Sequence, residues 1–195
     1  MVTLAFECLN ASSALRCVHV ADRFCQPRVL RFSERNPNVN TLSALSRLIK
    51  RYPSLLAFTI AELDYRDAAR AQTLHDVTEH LVHVQREFSG KTESVRLRQW
   101  AKSVGPEEWK AQRIRGFGLS GFQYLRMLLG VQTTKPDIHI RRYVSGVIGR
   151  AVTDVNALAL LEQAAERLKL PLRSLDYAIW SESARKKKRK RQHNR

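Results

Sequence analysis

Residues Gly116–Arg142 read GFGLSGFQYLRMLLGVQTTKPDIHIRR, and the reading of this stretch governs the rest of the chain. It opens on a tight turn, Gly116-Phe117-Gly118, and continues as an apolar run from Leu119 to Leu129. Gly130 closes that run, and Pro136-Asp137 then precedes a basic segment. Glycine accepts positive φ and carries no Cβ, so the backbone N–H groups of such a turn can approach an anion closely. The helix that follows adds free N–H groups and the positive end of its dipole. A plain helix–helix connection uses the same residues, so the turn alone does not fix a role. Asp137 suits a helix N-cap. With His139, Arg141 and Arg142 just behind it, the same carboxylate also suits a site where positive charge develops on a sugar.

Around this stretch the apolar spacing is helical. Thr41 is expected to cap a helix through Lys50, Pro53 to open a short second helix, and Thr59 to cap a third. A longer helix is expected from Arg66 to Phe88, ended by Gly90, and another from Thr92-Glu93 through Trp100. Pro106 with Glu107 and Glu108 marks a helix start whose helix should reach Arg115. Further helices are expected at Leu119–Leu129, from near Asp137 to Gly149, and from Thr153-Asp154 to Pro171. A last one contains Leu175, Tyr177, Ile179 and Trp180. No alternating strand pattern follows residue 40 and no repeat is visible. The expectation is an all-α fold: a segment 1–40 that fits either short helices or strand, a helical domain 41–182, and a basic tail 183–195.

The formal charge of +16 points to a polyanionic partner, nucleic acid ahead of an anionic membrane surface. Half of that charge lies in the run Arg185–Arg191 together with Arg195. The body therefore stays basic without the tail. A block of like charge is expected to be a disordered, solvated tail that adds salt-sensitive affinity, and in a eukaryote it would also serve as a nuclear address. Cys8, Cys17 and Cys25 lack the close pairs of a zinc or iron–sulfur site and read as reduced thiols. No apolar run is long enough to span a membrane, and Met1–Asn10 has no basic leader. A cytoplasmic, nucleoid-associated protein is expected, nuclear if eukaryotic.

Taken together, Gly116-Phe117-Gly118, the helix Leu119–Leu129 and Pro136-Asp137-Ile138-His139-Ile140-Arg141-Arg142 resemble the signature of the HhH-GPD (helix-hairpin-helix) DNA glycosylases of base-excision repair. Leu175–Trp180 is similar to a closing helix of several members. The resemblance covers about residues 41–182 and is firmest over 105–150. It implies a helix-hairpin-helix glycosylase-like helical domain that binds double-stranded DNA as a monomer, flips a damaged or mismatched base from the duplex and hydrolyses its N-glycosidic bond. Asp137 matches the essential aspartate. Gly116, Phe117, Gly118 and Ser120 match the hairpin's DNA grip, and Lys135, His139, Arg141 and Arg142 would add DNA contacts. The resemblance also implies a monovalent cation held by hairpin carbonyls.

Ser120, or Gly121 if the register slips by one, stands where bifunctional members carry a nucleophilic lysine, so lyase chemistry is not expected. No cysteine follows Cys25, so no iron–sulfur cluster is expected either. A catalytically inactive DNA-binding relative is the alternative.

His75, Glu79 and His83 share one helical face, which reads as a solvated polar surface or, with more donors, a metal site. No metal is expected. Trp100, Trp109, Phe122 and Tyr124 fit core packing, with base stacking the other use. Lys110, Arg113 and Arg115 flank the turn as further phosphate contacts or ordinary surface charge.

Overall fold

A computed structural model of the protein describes residues 26–193, with side chains over 27–182. Cys8, Cys17, Cys25 and most of the segment 1–40 lie outside the described residues. Among the described residues all regular structure is helical and no strand forms. No helix among them is long and apolar enough to cross a membrane. Within the span read as one helical domain, contacts gather into two units that divide between Val131 and Gln132.

The first unit contains α1 (Gln26–Arg35), α2 (Leu42–Ile49), α3 (Leu55–Leu63), α4 (Ala68–Val84), α5 (Glu93–Ser103), the short α6 (Trp109–Gln112) and α7 (Leu119–Leu128). Side-chain oxygens start the helices where sequence chemistry demands. Thr41 accepts from Ala44 N–H, Ser54 from Ala57 N–H, Asp67 from Arg70 N–H and Thr92 from Val95 N–H. The two helices expected at Pro53 and Thr59 are one helix, α3. Ser54 is its cap, while Thr59 is buried inside it and donates its hydroxyl to Leu56 C=O at 3.2 Å. That back-bond satisfies a threonine within a helix, which is why Thr59 need not mark a start. The helix expected from Pro106 to Arg115 is also shorter. A tight turn at Pro106–Glu108 leads into α6, and Arg113 adopts left-handed φ 49° just past its end.

One core fills this unit. Leu74, Val77 and Leu81 of α4 join Leu42, Leu45 and Ile49 of α2, Phe58 of α3, Leu97 and Trp100 of α5, and Phe122 and Leu125 of α7. The Trp100 and Phe122 rings meet edge to face at 6.0 Å, so both serve as core. Trp109 packs partly buried against the same cluster. The polar row on α4 is mostly engaged locally. Glu79 accepts from Ser46 and sits 3.3 Å from Lys50 Nζ, and His83 Nε2 lies 3.4 Å from Glu87. Its neighbour His80 is half-buried. The ring packs on Trp100 at 5.6 Å, and burial, then the nearby His83, pushes its pKa down to about 4.

The second unit holds α8 (Ile138–Ile148), α9 (Asp154–Leu168) and α10 (Leu172–His193). Ile140, Val144, Ala157, Leu161, Ala165, Leu172 and Ile179 form its core. Asp137 and Thr153 cap α8 and α9, and Gly149 closes α8 at φ 76°. The backbone of α10 runs on through Arg185–Arg191, so the run expected as a disordered tail continues the last helix. Lysine and arginine are good helix formers, and a helix already started by packing extends at little further cost.

Glu93 links two helix starts across the chain. Its buried carboxylate accepts from Leu42 N–H at 2.8 Å and from Gln85 Nε2 at 3.0 Å. Glu93→Ala leaves both buried donors unpaired and should lower unfolding free energy by about 2–3 kcal/mol, read from urea denaturation at constant m-value.

Candidate functional site

The turn before α7 is shaped by three restraints. Arg113 and Gly116 both take positive φ, at 49° and 78°, which reverses the chain within a few residues. The Thr73 hydroxyl on α4 lies 2.9 Å from the Arg115 carbonyl oxygen and pins the turn to the body of the unit. An added Cβ at Gly116 would meet that same hydroxyl oxygen at 3.0 Å. Phe117 is buried beneath the turn, and its ring lies so close to Gly121 that a Cβ there would sit 2.9 Å from it.

Gly118 differs from these. Its φ is −85°, an added Cβ would meet nothing within 4 Å, and the residue is exposed. Neither backbone strain nor packing therefore requires glycine here. Gly118 is also the N-cap of α7, and no side chain caps that helix. Bare backbone thus leads into a ten-residue helix whose positive dipole end has no side-chain acceptor at its cap. Lys110, Arg113 and Arg115 are exposed on the segment leading into the turn. Ser120 is half-buried in the first turn of α7.

The other expected site residues belong to the second unit. The Asp137 N–H donates to Lys135 C=O at 2.7 Å, closing a narrow turn around Pro136. Asp137 Oδ1 then accepts from His139 N–H at 2.8 Å and Ile140 N–H at 3.2 Å. Both helix donors fall on Oδ1, and among the described residues Oδ2 takes no hydrogen bond. Arg141 Nε pairs with Asp154 at 3.0 Å, so this expected DNA contact is held on α9. Arg142 is exposed, and Lys135 and His139 are half-buried.

A second carboxylate that carried no role in the sequence reading lies beside this turn. Asp176 sits in the stripe of α10 that packs Leu172 and Ile179 into the core. The Lys135 N–H and the fully buried Thr134 hydroxyl face its carboxylate, the hydroxyl outside close hydrogen-bond geometry. Burial pushes the Asp176 carboxyl up. The Thr134 and Lys135 donors oppose that shift, and the Asp137 charge adds to it. The one signal in the sequence was an acid at a core-facing helical position.

Residues 17–184 match the family described as Domain of unknown function (DUF8548). The chain belongs to this family. No curated protein and no solved structure matches the DUF8548 chain.

The raised Asp176 carboxyl carries a stability signature. A native state that favours the protonated acid is destabilised above the folded pKa, and this cost disappears below the unfolded pKa. Asp176→Asn keeps the shape and an acceptor while removing the charge. It should melt no lower than wild type at pH 7, with the difference shrinking toward zero below the ordinary carboxylate range, as read by thermal melts across pH.

Proposed function

We propose that this DUF8548 protein binds double-stranded DNA and acts as an HhH-GPD-like DNA glycosylase, hydrolysing the N-glycosidic bond of a damaged or mismatched base flipped from the duplex. The observation that carries the reading is Gly118, a glycine that the protein's own fold does not require. A phosphate approaching the α7 N-terminus supplies the missing reason, because a side chain at that position would stand in its path. The basic body and the exposed Lys110, Arg113 and Arg115 favour the same partner.

In this reading Asp137 is the catalytic carboxylate. Oδ1 is fixed by two N–H groups of α8, which hold the side chain in one rotamer. Oδ2 then faces the sugar, stabilising the cationic, oxocarbenium-like transition state or aligning the attacking water. Ser120 supplies no amine for a Schiff base, and the Phe117 ring against Gly121 denies a lysine the adjacent register. The chemistry is therefore hydrolysis without strand cleavage by the protein.

A second reading, a non-catalytic DNA-binding relative, is favoured by one observation: Asp137 already has a complete structural role as the α8 cap. Both readings are tested on duplexes carrying alkylated, deaminated, oxidised or mismatched bases, with abasic sites revealed by alkali. Asn caps helices as well as Asp, so Asp137→Asn should fold normally and bind duplex within about twofold of wild type. Its single-turnover cleavage should fall by about 100-fold or more. Equal cleavage by both proteins contradicts the catalytic role. Tight duplex binding with no processed base selects the second reading.

A further inference from the structure

We propose that Arg173, Tyr177 and Trp180 on α10 form a stacking platform for unpaired bases, a single-stranded DNA contact that uses none of the residues of the turn before α7. The inference goes beyond the glycosylase reading and rests on its DNA-binding part only for the choice of DNA over RNA.

The three residues follow the i, i+4, i+7 spacing of one helical face. The Tyr177 side is 70% exposed, and its ring meets that of the half-buried Trp180 at a centroid distance of 6.2 Å, tilted by 34°. Trp180 thus steadies a tyrosine that otherwise projects into solvent. Arg173 is exposed one turn earlier and makes no ion pair or hydrogen bond among the described residues. The backbone of the same helix then continues through the unbroken run of cations Arg185–Arg191.

Packing does not explain these rings. The large aliphatic residues of α10 already fasten it to its unit, Leu172 and Ile179 within the core and Leu175 packed against it. A single exposed aromatic would be ordinary surface. Here two aromatics touch beside a free guanidinium, on a helix that runs into a dense block of positive charge. Cations attract a phosphate backbone whatever its sequence. An exposed ring adds what charge does not, a flat face on which a base stacks. The guanidinium suits either role, pairing with a phosphate or lying over a base. Inside a duplex each base face is already covered by its neighbours, so a protruding tyrosine fits unpaired bases. An anionic membrane would attract the same cations, but an interfacial helix needs a broad apolar face. With its aliphatic residues turned to the core, α10 offers two rings and no such face.

The experiment titrates the full chain with a short oligothymidylate, an abasic sugar-phosphate strand of equal charge, an oligouridylate, and vesicles containing phosphatidylserine, reading affinity and tryptophan fluorescence. Wild type should bind oligothymidylate about tenfold more tightly than the abasic strand, with emission quenched only by the strand that carries bases. Tyr177→Ala should lose most of that preference while its affinity for the abasic strand stays within about twofold of wild type. Tyr177 lies outside the core, so this variant should melt as wild type does. Trp180→Phe keeps a ring in place and should retain the preference while losing the base-dependent quench. Equal affinity of wild type for the two deoxy strands overturns the proposal, as does a preference that survives Tyr177→Ala or a quench that survives Trp180→Phe. Tighter binding of oligouridylate than of oligothymidylate overturns the choice of DNA. Vesicle binding lost in Tyr177→Ala, with strand binding unchanged, makes the face a membrane contact and overturns the platform. No strand here carries a lesion, so a failed glycosylase reading leaves the platform standing, and a failed platform leaves the roles of Asp137 and Gly118 as they were.

Discussion

The buried ring of Phe117 is the contact on which the turn before α7 depends. A chain that reverses within a few residues exposes its backbone and has few contacts of its own to resist fraying. Here the side chain between two glycines is driven under the turn and closes against Gly121, while Thr73 holds the Arg115 carbonyl from α4. Glycine inside α7 is unfavourable by about 1 kcal/mol relative to alanine. Burying a phenylalanine contributes about 2–3 kcal/mol, so the exchange favours the anchored turn. The result is a rigid backbone edge with Gly118 exposed at its tip.

The second unit solves a related problem with polar groups. Asp137 and Asp176 approach a single short turn from α8 and α10, one as a helix cap and the other facing the Lys135 N–H. Burial raises the proton affinity of the half-buried Asp176, and the nearby Asp137 charge adds to it. Arg141, the nearest basic residue after Asp137 in sequence, is drawn away to Asp154.

Much of this was legible in the sequence because cap chemistry is local. Thr41, Thr92, Thr153 and Asp137 each start the helix expected of them, and Gly149 ends one. Thr59 misled because a threonine hydroxyl can be satisfied inside a helix as readily as at its start. Longer-range pairings left no pattern to read. Glu93 meets the Leu42 N–H from 51 residues further along the chain, and Asp176 faces Lys135 from a helix some forty residues on. His80 stands on the same helix as His75 and His83, yet its ring packs edge-on against Trp100. The division near Val131 was equally hidden, since Gly130 and the polar residues after it read as an ordinary connection.

The claim most exposed to a direct test is that the bare backbone at Gly118 exists for a phosphate. Gly118→Ala places a methyl group where the protein has no atom within 4 Å, at a φ alanine accepts. Folding stability should stay within about 1 kcal/mol of wild type, the residue being an N-cap. Affinity for a short DNA duplex should drop by about tenfold or more, the loss of charge-assisted backbone hydrogen bonds to one phosphate. Duplex affinity equal to wild type in a folded Gly118→Ala protein would contradict the account.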